Sequence, residues 1–302
     1  MSYVLVLIAG VCWGMIGVFT RALGALGFTE MEMLFAKSVL AVIMLFFIIL
    51  LQDKSWLKLK TWKDLRYFVG TGICSFVFFS WTYMKAINLT SLGIAAVLLY
   101  TAPTFVMLFS VLLFHEKLTK LKCLVLAMTF LGCLCVTGVL SGGARLTWQG
   151  VAFGLASGVG YALYSIFGTF ALRRGYGSLT ISFYTFLLAT VFMVFCVDPV
   201  MVFTQITLQG QWITLILFAL LTSVVTYLCY TKGLSGLPAS QASVTATIEP
   251  VVAALLGIIL FHESVTLLKV VGIVLVLSSV VLMNRQGAQD EPPEEITPEG
   301  GQ

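Results

Sequence analysis

Residues 83–119 read YMKAINLTSLGIAAVLLYTAPTFVMLFSVLLFHEKLT, and residues 230–266 read YTKGLSGLPASQASVTATIEPVVAALLGIILFHESVT. The two stretches align without a gap at an offset of 147 residues. Lys85 meets Lys232, Pro103 meets Pro250, His115-Glu116 meets His262-Glu263, and Thr119 meets Thr266. Apolar segments resemble one another by composition, so matched Leu and Val carry little weight. Matched Lys, Pro, His, Glu and Thr in a single register carry much more. Upstream, Trp13 meets Tyr161 and Ala41 meets Ala189, both at an offset of 148. The chain is therefore two copies of one plan.

The plan is written in apolar segments. Of 302 residues, 60% are hydrophobic and 10% charged, and the mean hydropathy is +1.05. Thirty charged side chains are too few to cover a soluble domain of this length. A helix crosses the roughly 30 Å hydrocarbon core with about 20 apolar residues, and runs of that length recur along the chain. The alternating period of a spanning β-barrel is absent. The predicted fold is an all-α polytopic membrane protein of ten transmembrane helices, at 3–22, 31–51, 66–86, 91–113, 120–140, 150–172, 179–198, 211–231, 238–261 and 267–285. Residues 1–143 form the first five-helix repeat, 144–285 the second, and 286–302 an acidic Pro- and Gly-rich tail expected to be disordered and cytoplasmic. Five is odd, so the second copy enters the bilayer from the opposite side. Inverted repeats of this kind are typical of secondary transporters, whose sites lie near the midplane between halves.

Basic residues set the orientation. Twelve Lys and Arg flank the spans on the N-terminal side, and four (Arg21, Lys85, Arg145 and Lys269) flank them on the other. That bias predicts that both termini are cytoplasmic. MSYVLVLIAGVCWG has no basic residue ahead of its apolar run and no clear cleavage site, so it reads as a retained first span. The seven cysteines form no C-x-x-C pair, which argues against a metal site or a disulfide framework. Without a basic stripe outside the spans, nucleic acid is excluded as a partner. No cofactor is expected.

The chain resembles the EamA family of the drug/metabolite transporter superfamily over residues 1 to about 285. Trp13-Gly14, TAPTFVMLFSVLLFHEKLT and LPASQASVTATIEPVVAALLGIILFHESVT carry the resemblance. The family often has Gly-Glu where this chain has His-Glu, Trp at the place of Tyr161, and Arg at the place of Lys37. The resemblance implies a carrier whose central cavity is lined by spans 1, 3, 4, 6, 8 and 9. It also implies a secondary transporter exporting amino acids or related small metabolites by alternating access across the cell membrane. The expected partners are a small-molecule substrate and the lipid bilayer, with a homodimer allowed. A sugar or nucleotide-sugar carrier of the same superfamily is the alternative, although a phosphate-bearing cargo would want more Arg or Lys. An intramembrane enzyme is the remote one. Gly233-Leu234-Ser235-Gly236 matches a short serine-protease string, but no histidine lies at mid-membrane depth to act as base.

Within that frame, Glu249 is the one acidic residue deep in a span, where a charge is expensive and marks function by default. It closes a stripe of Gln241, Thr245 and Glu249 spaced four apart. Glu249 is expected to couple transport to protons, and Thr245 to line the cavity. Trp13, Phe79, Tyr100, Tyr161, Tyr164 and Tyr227 lie near the middle of the cavity helices and are expected to form an aromatic lining suited to an amphipathic cargo. Pro103 and Pro250 are expected to kink spans 4 and 9, freeing the carbonyls of Leu99 and Ala246. Lys37 lies roughly 9 Å from the end of its helix, and snorkelling to the interface accounts for it. Each His-Glu pair is read as capping the following helix, and Gly10, Gly14, Gly150, Gly154 and Gly158 as close-packing faces.

Overall fold

The computed structural model describes residues 1–139, 147–209 and 212–287. Among the described residues, ten helical segments cross the molecule. Seven are long and apolar enough to span a membrane: Ser2–Gly24 (span 1), Glu30–Gln52 (span 2), Leu92–Phe114 (span 4), Trp148–Arg173 (span 6), Trp212–Leu234 (span 8), Ala239–Phe261 (span 9) and Leu267–Arg285 (span 10). Residues 65–89 (span 3), Lys120–Val136 (span 5) and Ser178–Met193 (span 7) complete the set. Side chains from the sequence start and stop these helices. Thr29 accepts from the Glu32 backbone while the Glu32 carboxylate accepts from Thr29, a reciprocal cap. Ser91, Thr119, Thr147 and Thr266 cap spans 4, 5, 6 and 10 in the same way, each accepting from the amide three residues on.

The helix ends differ in places from the sequence reading. Span 7 stops at Met193 rather than 198. Asp198 then caps a short additional helix, Pro199–Gln209, accepting from the amides of Val200 and Met201. Proline is tolerated in that first turn because its missing N–H has no partner there anyway. Span 10 runs on to Gly287, two residues into the segment read as tail. The rest of that tail and Arg145 lie outside the described residues.

The packing repeats the sequence symmetry. Span 1 packs on spans 8 and 9, and its counterpart, span 6, packs on spans 3 and 4. Spans 2 and 7, 4 and 9, and 5 and 10 meet their own counterparts across the pseudo-two-fold axis. Trp13 and Tyr161, equivalent in the repeat, touch with ring centroids 5.7 Å apart. Glycines permit the close crossings. A Cβ on Gly10 would lie 2.9 Å from the Ala246 carbonyl oxygen, and one on Gly158 3.2 Å from that of Leu98. The same pairing of spans is thus built twice. Wide π-type turns at Gly70–Val77 and Leu220–Val225 loosen spans 3 and 8 at matching depths.

The 5–10 crossing gives a stability prediction. A Cβ on Gly272 would stand 2.6 Å from the Gly132 carbonyl oxygen and 2.7 Å from the Val136 amide, so two backbones must separate. Gly272→Val is expected to destabilise the fold by about 1–3 kcal/mol, lowering the melting temperature in detergent. Gly17→Val, where nothing lies within 4 Å, is the control and should change it little.

Candidate functional site

The site is built where two helices break. Span 4 is interrupted between Leu99 and Ala102, and span 9 between Ala246 and Glu249. Pro103 and Pro250 sit in the first turn of the restarted helices, where a missing N–H is harmless. Each follows a two-residue break in its span, at the place where a kink was expected. The restart re-aims the residues around it, and so corrects the predicted stripe on span 9. Gln241 accepts a hydrogen bond from Tyr3 at 2.6 Å. Thr245 is fully buried, donating to the Gln241 carbonyl at 2.8 Å and lying 3.1 Å from Asn284 Oδ1 on span 10. Only Glu249 of the three opens onto the central cavity.

That cavity brings together Trp13, Phe79, Tyr161, Tyr164, Tyr227 and Glu249. Trp13 is the hub, with ring centroids 5.7 Å from Tyr161, 5.8 Å from Tyr227 and 5.2 Å from Tyr230. Tyr164 stacks edge-on to Tyr227 at 4.9 Å, and Phe79 to Tyr161 at 5.6 Å. Some hydroxyls hold the wall in place: Tyr164 pairs with Thr231 at 2.6 Å and Tyr230 with Ser165 at 2.7 Å. The hydroxyls of Tyr161 and Tyr227 have no hydrogen-bond partner among the described residues. Tyr100 lies apart from this group, in a smaller pocket with Leu99, Pro103, Ala246 and the other flank of Glu249.

Lys37 is the residue that sequence reasoning misplaced. It does not snorkel: it is 6% exposed and lines the central cavity. Its ammonium lies 4.7 Å from the Phe218 ring centroid and 5.8 Å from that of Phe76. No carboxylate pairs with it among the described residues. Depth along the helix gave no warning, because rotation about the axis decides whether a residue faces lipid or cavity. Ser75, Phe76, Ser80, Thr222 and Tyr230, also in the lining, were missed for the same reason.

On the face that carries both described chain ends, polar contacts join the two halves. Asp64, at the start of span 3, accepts from Tyr176 Oη at 2.8 Å and from Arg174 Nε at 3.4 Å, both beyond the end of span 6. The Lys60 amide donates to Tyr176 Oη at 2.8 Å, and Lys60 Nζ to the Arg174 carbonyl at 2.9 Å. Burial pushes the Asp64 carboxyl up, but hydrogen bonds from Tyr176 and Thr61 and the Arg174 charge outweigh it and hold it below the usual carboxylate range. Burial and the Asp64 bond push the Tyr176 phenol up to about 12. On the same face Glu116 accepts from Ser240 and pairs with Lys122 at 3.4 Å. On the opposite face its counterpart Glu263 pairs with Arg21 at 2.7 Å and Lys269 at 3.3 Å. The hydrogen bond from Arg21 is the main reason its carboxyl lies below the ordinary value.

The His-Glu pairs thus terminate spans 4 and 9 as well as leading into spans 5 and 10. His115 and His262 take left-handed backbone, φ 56° and 54°, and are the non-glycine residues with positive φ among those described. That conformation favours glycine, in keeping with the Gly-Glu that the family resemblance implies at this place.

Comparison with known proteins agrees with this architecture. The EamA-like transporter family matches residues 1–138 and 148–285, one match for each half. An uncharacterized transporter of Archaeoglobus fulgidus is 28% identical over 221 residues, covering 73% of this chain and 77% of that protein. The uncharacterized transporter YxxF of Bacillus subtilis is 27% identical over 288 residues, covering 93% and 89%. A crystal structure with 15% sequence identity superposes with a TM-score of 0.77 over 96% of this chain and 98% of its own, which speaks for the fold alone. The chain is a multi-pass membrane transporter, not an enzyme, and belongs to the EamA-like transporter family.

Proposed function

We propose that the chain is a proton-coupled secondary transporter that exports amino acids or related small metabolites across the cell membrane by alternating access. One observation carries this reading: a small aromatic cavity at the pseudo-two-fold axis contains Lys37 and Glu249 and is closed on one face by polar contacts between halves. Contacts of that kind can break and re-form as the halves rock. The cavity holds about 70 Å³, room for about five water molecules at 10–15 Å³ each. That size suits a compact metabolite and counts against a nucleotide-sugar. Glu249 is the proton carrier, in a lining it shares with Tyr161, Tyr227, Tyr230 and Lys37. The face closed by Asp64 is cytoplasmic, in keeping with the basic residues there. A C-terminal fluorescent fusion should report that side, and an active C-terminal alkaline phosphatase fusion would reverse it.

Exchange in proteoliposomes tests the reading. Vesicles loaded with unlabelled amino acids should take up labelled amino acids faster than empty vesicles. Exchange of nucleotide-sugars instead would favour the alternative cargo, and no exchange of either kind would contradict a metabolite carrier.

A further inference from the structure

We propose that Lys37 and Glu249 are the two poles of one substrate site, and that the cargo is a zwitterion whose carboxylate meets Lys37 and whose ammonium meets Glu249. This rests on the transporter reading of the same cavity. Both side chains line it, and no ion pair joins them. Among the described residues neither makes a hydrogen bond to any protein group. Lys37 has only aromatic faces near its ammonium, at 4.7 and 5.8 Å. Contacts of that kind stabilise an ammonium only in part, whereas burying one is costly. The balance is left for an anion to supply. Glu249 stands in the complementary position, a carboxylate without a cation.

The repeat shows that the scaffold needs neither charge. Lys37 corresponds to Thr185 at an offset of 148, and Phe218, under the Lys37 ammonium, corresponds to Thr71 at an offset of 147. At that equivalent place Thr185 of the second repeat and Thr71 of the first hydrogen-bond to each other at 2.7 Å, with no charge. Glu249 corresponds to Ala102, a buried, uncharged residue in the lining of the smaller pocket. One fold therefore builds this neighbourhood twice, neutral in one copy and charged in the other. Among the residues that face the cavity, Lys37 and Glu249 are charged where their counterparts are neutral, a difference that the fold itself does not require. In the same lining, Trp13, Tyr161 and Tyr227 supply aromatic surface for an apolar body, and the hydroxyls of Tyr161 and Tyr227 have no partner among the described residues.

Calorimetry on the purified full-length protein tests the assignment with L-phenylalanine and 6-aminohexanoate, each beside its amine-only and acid-only analogue. At least one zwitterion should bind about 10–100-fold more tightly than either analogue, the worth of a hydrogen-bonded charge contact. Lys37→Met should reduce that zwitterion to the level of its amine without weakening the amine. Lys37→Arg should restore the preference, which separates charge recognition from misfolding. The assignment is overturned if the wild type binds neither zwitterion more tightly than its analogues, or if Lys37→Met keeps the preference. Flux separates the two readings. A protein that binds a zwitterion but moves none keeps the poles and loses the transporter reading. One that exchanges singly charged metabolites without preference keeps the transporter reading and loses the poles.

Discussion

Glu249→Gln is expected to abolish accumulation driven by a pH gradient while leaving exchange measurable. The amide keeps the shape of the carboxyl, so the restart of span 9 at Pro250 and its packing on span 1 should survive. What it loses is a proton to give up. One pH unit across the membrane is worth about 1.36 kcal/mol per proton, enough for roughly tenfold accumulation at one proton per substrate. In proteoliposomes with a one-unit gradient, the wild type should approach that ratio and Glu249→Gln should stay near one. Glu249→Asp, shorter but still titratable, should fall between them. Full accumulation by the Gln variant would make Glu249 structural and place coupling elsewhere.

Asp64→Ala should open the face that the wild type holds shut. Asp64 is 2% exposed and accepts hydrogen bonds from Tyr176 and from the Thr61 amide. Bonds to a charged acceptor contribute about 1.5–3 kcal/mol each. Arg174 is half exposed, so its ion pair adds at most about 1 kcal/mol. The Tyr176 bond and the Arg174 pair join the halves, and losing them favours the open arrangement by about 3 kcal/mol, a shift of about 100-fold in the open-to-closed ratio. In a cysteine-free background, a cysteine at Ser165 should react much faster with an impermeant thiol reagent applied from that face. Unchanged reactivity would show that other contacts close it. The pH dependence has a fixed sign. The Asp64 carboxyl is depressed in the folded protein, so its contribution is complete above the unfolded value of about 4 and is lost as pH falls through the folded value. Wild type and Asp64→Ala should therefore differ at neutral pH and converge in strong acid.

The repeat was legible because Lys, Pro, His and Glu recur in register, and it led directly to the Trp13–Tyr161 contact at the axis. Helix positions came from apolar runs, and caps from single Thr and Ser residues. Orientation about each helix axis was not legible. Lys37 reads as interfacial by depth, yet its helix turns it inward. Thr245 reads as a neighbour of Glu249 by its spacing of four, but that spacing assumes one unbroken helix, and span 9 restarts between them. The closing contacts escaped because Asp64 and Tyr176 are 112 residues apart, with no local signature to join them. The helix Pro199–Gln209 was hidden by its proline, which ended the preceding span without announcing a new one.

The central claim is that two inverted halves open one cavity to each face in turn. It is tested most directly by spin-label distances measured on both faces of one protein, with and without a saturating zwitterion and at two pH values. One pair would join Lys58 to Arg173 on the Asp64 face, and the other Ala25 to Trp212 on the face of Arg21. The two distances should move in opposite directions, one lengthening as the other shortens. Distances that lengthen together, or that stay fixed under every condition while substrate is exchanged, would contradict it.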